Sequence, residues 1–167
     1  SSEGVSLPVE SVSWSDADAY CQKVGKRLPT EWEWEKAAKA GTTTKYYWGD
    51  AMESGKANFC DTNCEHDWKK NKFDDGYTTT APVGSFAANP FGLHDMTGNV
   101  WEWTDSVFSG TLKVLRGGSW DYIPYRLQSA YRNSDEPHGG SSNVGFRCSQ
   151  KAVKKVAKKV AKKKAVE

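Results

Sequence analysis

Gly92-Leu93-His94-Asp95-Met96-Thr97-Gly98-Asn99-Val100-Trp101-Glu102-Trp103-Thr104 is the stretch whose reading decides the fold. It combines two tryptophans, two glycines, an amide and two carboxylates, a mixture that suits neither a regular helix nor a regular strand. The glycines free the backbone to turn sharply, and Asp95 and Glu102 bring hard oxygens to the places where turned carbonyls are exposed. Calcium is held by such sets of carboxylate and main-chain oxygens on irregular loops. In the competing reading Asp95 and Asn99 only cap turns, and Trp101 and Trp103 only fill a core.

Outward from that stretch, 167 residues are enough for one domain with a real core, 1–150, followed by a short appendix, 151–167. Eight Trp, seven Tyr and six Phe under a negative mean hydropathy describe a loop-rich fold with a core of rings and a polar surface. No apolar run is long enough to span a membrane, and no segment near the start reads as a signal peptide. Of 23 basic and 21 acidic side chains, eight lysines and one glutamate lie in 151–167, so the remaining 15 and 20 leave the globular part at about −5. A nucleic-acid partner for the folded domain, which wants a basic face, loses support. Four cysteines, Cys21, Cys60, Cys64 and Cys148, are an even number. Cys60-x-x-x-Cys64 is too wide for a redox pair and has no second pair to complete a zinc site. We read two disulfides, one local and one tying the ends of the domain, and an oxidising compartment; the alternative is four reduced, buried thiols.

Along the chain, 1–14 is extended. Ser15 offers an N-cap for a helix whose Ala17, Tyr20, Cys21 and Val24 share a face and which Gly25 ends. Thr30 and Glu33 form a capping box for a second helix, through Trp34, Ala37 and Ala38 to Gly41. Residues 46–77 are long irregular loop, which in a compact domain signals function or ion binding. Short extended pieces follow at 80–86 and 101–104, then a strand at 112–120 interrupted by Gly117-Gly118, and a last strand at 145–149. The tail places Val153, Val156, Val160 and Ala161 at helical intervals among lysines. It reads as solvated chain, or as an anchor for an anionic partner such as a membrane surface or nucleic acid.

Six ordered motifs then meet a family: Pro8-Val-Glu-Ser-Val-Ser-Trp14, Asp16-Ala-Asp-Ala-Tyr-Cys21, Gly25-Lys-Arg-Leu-Pro-Thr-Glu-Trp-Glu-Trp34, Thr97-Gly-Asn-Val-Trp-Glu-Trp103, Arg116-Gly-Gly-Ser-Trp120 and Asn143-Val-Gly-Phe-Arg-Cys148. Together they resemble the formylglycine-generating-enzyme and sulfatase-modifying-factor family, whose domain is an elaborated C-type-lectin fold of α+β class. The resemblance implies two structural calcium sites. One would use the Asn58 side chain, the Phe59 carbonyl, Asp75 and the Tyr77 carbonyl; the other Asp95, the Gly98 and Val100 carbonyls, and Glu102. It also pairs Cys21 with Cys148, whereas Cys60 and Cys64 have no counterpart and their bond rests on the reading above. The long segment that usually precedes the first motif is missing, so a trimmed domain or fragment is expected.

The departures bear on activity. The enzymes of this family carry two copper-binding cysteines shortly after the Gly-Gly-Ser-aromatic motif, and Tyr122 and Leu127 stand at the matching positions. Without soft thiolates no cuprous site and no oxidation of a substrate cysteine is expected. The related iron-dependent synthases draw histidines from an extra helical domain, while His66, His94 and His138 are scattered here. The expectation is no enzyme, and neither copper nor iron.

Between Trp120 and Asn143 the composition changes to Asp121, Tyr122, Ile123, Tyr125, Leu127, Ser129, Tyr131, Asn133, Ser134, Asp135, His138, Gly139, Gly140, Ser141 and Ser142, with other residues interspersed. Tyr, Ser, Gly, Asn and Asp are the residue types of a binding surface. Each of these positions holds a residue reachable from AAC or AAT codons by changing adenines. None is Lys, Glu, Gln, Met or Trp, types that make up 41 of the 167 residues. The arrangement resembles the variable region of proteins diversified by retroelements. That implies receptor-like recognition of a protein or other surface ligand, with display on a cell surface, outside the cell or on a virion. Tyr122, Tyr125 and Tyr131 are the expected anchors. Alternatives are a polar loop over an inactive or accessory member's pocket, or a sugar-binding lectin, for which Glu136-Pro137-His138 is only half a signature.

Overall fold

The computed structural model describes residues 6–150; the lysine-rich tail, with the helix expected there, lies outside the described residues. Helix α1 spans Trp14–Lys23 and α2 spans Glu31–Lys39. The cap of α1 is Ser13, not Ser15, because Asp16 lies three residues after Ser13 and completes a capping box: the Asp16 N–H donates to Ser13 Oγ (3.1 Å) and the Ser13 N–H to the Asp16 carboxylate (3.2 Å). The helix buries Ala17 and Cys21 but leaves Tyr20 and Val24 exposed, so its apolar face is narrower than the spacing predicts. The Thr30/Glu33 box of α2 forms as expected, and the helix ends at Lys39, two residues before Gly41, with the C-cap Ala40 itself in the left-handed region (φ 47°).

A four-stranded sheet follows, in the order β3-β2-β1-β4, from β1 (Trp101–Ser109), β2 (Leu112–Arg116), β3 (Asn133–Asp135) and β4 (Val144–Phe146). β1 and β2 form an irregular antiparallel hairpin, β3 pairs antiparallel with β2, and β4 pairs parallel with β1. Four strand expectations change. Strand β1 runs past 104 to Ser109, and β4 covers Val144–Phe146 rather than 145–149. Residues 80–86 join no strand, and β2 ends at Arg116 because Gly117 and Gly118 take φ of +98° and +79°, which turns the chain out of the ladder. Strand β3 and the 3-10 turn Pro124–Leu127 both lie inside 121–142, where no element was foreseen.

The core sits where the helices meet the sheet. Trp101, Trp103, Leu28 and Leu115 pack around the buried face of α1, and Trp34 with Ala38 and Met96 fills a second cluster. Leu127 joins Tyr46, Ala57 and Phe59 in a third. Two disulfides form, Cys21–Cys148 across 127 residues and Cys60–Cys64 across four, and no described cysteine is free.

Candidate functional site

The opening stretch folds as a turn built on Asp95 and Asn99, both with positive φ, that delivers Trp101 and Glu102 into β1. Asn99 spends its amide on the Ala81 backbone, donating from Nδ2 and accepting at Oδ1 at 3.1 Å each. The first expected calcium set gathers on one wall. Asn58 is buried; its Nδ2 donates to the Thr79 carbonyl (2.7 Å), while its Oδ1 has no hydrogen-bond donor. Asp75 accepts the N–H groups of Phe59 and Tyr77 (2.9 Å each). Burial, reinforced by the neighbouring carboxylates of Asp61 and Asp74, pushes its carboxyl up to about 6. A buried amide oxygen without a donor, next to a desolvated carboxylate in acidic company, fits a hard cation.

The second set, Asp95, Gly98, Val100 and Glu102, lines a single cavity of about 520 Å³. Asp95 Oδ2 accepts the Gly84 N–H (2.7 Å), Oδ1 is buried without a partner, and burial raises its pKa. Glu102 is already engaged. Arg147 donates to both of its oxygens (2.6 Å each) and the Trp34 indole N–H to Oε2 (2.6 Å), so a cation here would share that carboxylate with a guanidinium. The two sets are stitched together: the Asn99 N–H donates to the Asn58 carbonyl (3.0 Å), and a Cβ on Gly98 would lie 2.0 Å from that oxygen. Among the described residues no group of three or more His, Cys, Asp or Glu side chains is placed to hold a metal, so both sets depend on amide and carbonyl oxygens.

The segment 121–142 divides into buried anchors and exposed residues. Leu127 and Ser129 are fully buried and offer no surface to a ligand, which corrects their place among the expected binding residues. The 3-10 turn drives Leu127 onto two bare backbones; a Cβ on Gly118 would meet its Cγ at 2.6 Å and one on Gly98 its Cδ2 at 3.2 Å. Tyr122 and Tyr131 pack on Trp101, with ring centroids 5.5 and 6.2 Å away, so they serve the core as well as the surface. Asp121 is structural, accepting from Ser119 Oγ (2.6 Å) and Asn143 Nδ2 (2.9 Å). Asn133, Ser134 and Asp135 form the sheet edge, and Gly139 and Ile123 are half-buried. Gly140 passes so close to Ser11 that a Cβ would meet its carbonyl oxygen at 2.7 Å. Tyr125, His138, Gly140, Ser141 and Ser142 are exposed, Tyr125 most clearly at 62%.

Sequence reasoning missed what holds this segment. Arg116 is fully buried, paired with Glu35, and donates to the carbonyls of Ala130 (2.9 Å) and Tyr131 (2.6 Å). Arg132 forks onto Glu31 at 2.5 and 2.9 Å. The signal was an arginine beginning a Gly-Gly motif in a strand otherwise apolar on that face.

Compared with known proteins, residues 2–152 match the model of the sulfatase-modifying factor enzyme 1-like domain. The chain belongs to this family. It is 39% identical over 160 residues to the inactive C-alpha-formylglycine-generating enzyme 2 of Mus musculus, covering 90% of this chain and 51% of that protein. It is 40% identical over 169 residues to the formylglycine-generating enzyme of Streptomyces coelicolor, covering 87% and 53%. The family thus includes enzymes and an inactive relative at equal distance, and this chain spans about half the length of both. Among solved structures it superposes on PvdO from Pseudomonas aeruginosa with a TM-score of 0.70 and 28% identity, over 84% of this chain and 60% of that one. It superposes on Treponema denticola variable protein 1 with a TM-score of 0.66 and 24% identity, over 84% and 69%, a likeness of fold. Two helices against a small mixed sheet with long loops, in this company, are the α+β C-type-lectin-like fold expected of the sulfatase-modifying-factor domain.

Proposed function

We propose that this sulfatase-modifying-factor domain is a non-catalytic, receptor-like binding module that presents 121–142 to a protein or other surface ligand. One observation carries the reading. Tyr122 and Leu127, which the resemblance pairs with the family's copper cysteines, are committed to packing: Tyr122 lies edge-on against Trp101 and Leu127 is sealed in the core, while all four cysteines are tied up in disulfides. What then remains at that end of the fold is a displayed surface on a fixed backbone. The disulfides favour a location outside the reducing cytosol. Diversification by a retroelement is part of the same proposal, confined now to positions that reach the surface. Position 127 is buried against Gly98 and Gly118, so a larger side chain there would be crowded and a smaller one would leave a cavity.

The test offers the protein cuprous ion and a peptide containing a substrate cysteine. Neither retained copper nor oxidised peptide is expected, and oxidation of the peptide above a protein-free control overturns the reading. Sequencing the gene across a population grown from one clone tests diversification. Changes concentrated at exposed codons such as 125, 138, 141 and 142 support it, and a uniform sequence removes it. Calcium is proposed at Asn58, Phe59, Asp75 and Tyr77, with a second ion at Asp95, Gly98 and Val100 sharing Glu102 with Arg147.

A further inference from the structure

Opposite the 3-10 turn, the loop 60–73 builds a wall that the reading above leaves unused. Its Cys60–Cys64 disulfide folds it back on itself. His66 lies face to face with Trp68 (centroids 4.3 Å apart, planes 10° apart), and Trp120 continues the stack at 6.3 Å. The Trp68 indole N–H donates to the Asp121 carbonyl (3.0 Å), which fixes the ring although 53% of the residue is exposed. Between this wall and Arg126 lies a cavity of about 430 Å³ that ends at Ile123. A second cavity of about 420 Å³ begins on the same isoleucine and runs to Tyr46 and Phe73, with Lys70, Lys72 and Tyr125 along it.

The charges facing these cavities run against those of the domain. Arg126 rests over the rings of Tyr122 (4.9 Å) and Tyr131 (5.9 Å), and Lys72 over Phe73 (4.9 Å). Among the described residues none of Arg126, Lys70 and Lys72 forms a salt bridge. The one lining carboxylate, Asp121, spends its oxygens on Ser119 and Asn143. Glu65 and Asp67 adjoin the wall in sequence but line neither cavity. Three cations that form no salt bridge, against the single carboxylate of Asp121 in the lining, stand beside aromatic walls on a domain that is otherwise acidic, and are complementary to a negatively charged partner with apolar side chains to bury.

We propose that the two cavities form one docking surface for an acidic polypeptide segment, which seats an apolar or aromatic side chain on each side of Ile123 and sets carboxylates against Arg126, Lys70 and Lys72. The inference goes beyond the reading above, because half of the surface comes from residues 46–73, and it holds whether or not 121–142 is diversified.

The test uses the full chain and a fluorescent synthetic peptide carrying two phenylalanines among glutamates. Two companions replace the phenylalanines with serine or the glutamates with lysine. Because the lysine tail attracts any acidic probe, the decisive comparison is among variants away from it. The acidic aromatic peptide should bind best, and K70E/K72E and Trp68→Ala should each weaken it by about tenfold, as loss of a central anchor does. Tyr125→Ala, at an exposed position, guards against a Trp68 effect that comes only from a disturbed loop, and should weaken binding in the same direction. Binding unchanged in all three variants places the peptide on the tail and overturns the proposal, as does failure of the acidic aromatic peptide to bind. A single-stranded oligodeoxynucleotide that binds with the same dependence on Trp68 and the lysines also overturns the assignment to a polypeptide.

Discussion

Leu127 shows at the scale of one residue how the segment 121–142 is held to the rest of the fold. It lies at 0% exposure in the closest approach between the 3-10 turn and the backbones of Gly98 and Gly118. Leu127→Ala should therefore cost about 2–5 kcal/mol in chemical denaturation, the range for emptying a well-packed core site. A loss under 1 kcal/mol would mean that the site collapses freely. Glu33 makes a pH-dependent contribution. Arg27 donates to both of its oxygens (2.7 and 2.6 Å), and with the Thr30 N–H this holds the carboxyl down at about 2, against an ordinary 4.5. A carboxyl depressed in the native state adds stability above its unfolded value, and that stability drains away as pH falls toward the folded one. Both side chains are more than a third exposed, so the effect is modest and weakened by salt. Glu33→Gln should lower the melting temperature at neutral pH, with the gap from the parent closing between about pH 4.5 and pH 2; a gap constant with pH would place the contribution elsewhere.

At the scale of elements, the helices were the most legible part and the strands the least. Thr30-Glu31-Trp32-Glu33 predicted its own box, because the two groups that satisfy each other are three residues apart in sequence. Thr30→Ala should cost about 1 kcal/mol. The same rule applied to Ser13 and Asp16 identifies the true start of α1, where the apolar spacing alone favoured Ser15. Strand β3 was illegible for a physical reason. Asn133-Ser134-Asp135 has no strand propensity of its own and is held by pairing with β2 and by Arg116 on the carbonyls just upstream, contacts remote in sequence. The candidate site divided in the same way. Composition marked 121–142 as unusual but could not say that Leu127 and Ser129 point inward, since that is decided by a turn packed on distant glycines. The disulfides are elements too. By loop-closure entropy the bridge across 127 residues should stabilise by about 4–5 kcal/mol and the four-residue one by about 2 kcal/mol. Cys21→Ser/Cys148→Ser should thus lower the unfolding free energy much more than Cys60→Ser/Cys64→Ser; equal losses would contradict the entropic account.

For the whole molecule, much of the chain is loop, and the loops are cross-tied by single polar side chains: Asn58, Asn99, Asp75 and Asp95 each hold a backbone remote from their own. Such a framework gains from ions that bind only the folded state. Removing calcium with a chelator should lower the melting temperature and adding it back in excess should restore it; a melting curve indifferent to both would count against the proposed cation sites. The family was legible from six short motifs, and three of them hold residues where backbones touch or a charge is buried: Gly98 on Asn58, Gly145 on Val9, and Arg116 in the core. The loops between them carry no hydrophobic period and were read only as irregular.

The parallel pairing of β4 with β1, locked by Cys148 onto Cys21, also governs how the molecule is made. Helix α1 (Trp14–Lys23) is synthesised well before Val144, and β1 (Trp101–Ser109) also precedes it in the chain. Until then the strand position beside Trp101–Trp103 is open, Cys21 is an unpaired thiol, and the backbone of Val9 has no Gly145 to lie against. Until residue 148 has emerged the domain carries an unfinished sheet edge and an unpaired thiol, a state prone to association with other chains. Closing that bond, which takes an external two-electron oxidant acting on both thiols, is then possible only once the chain has emerged through Cys148, so the bond reports that α1 and the end following β4 have met.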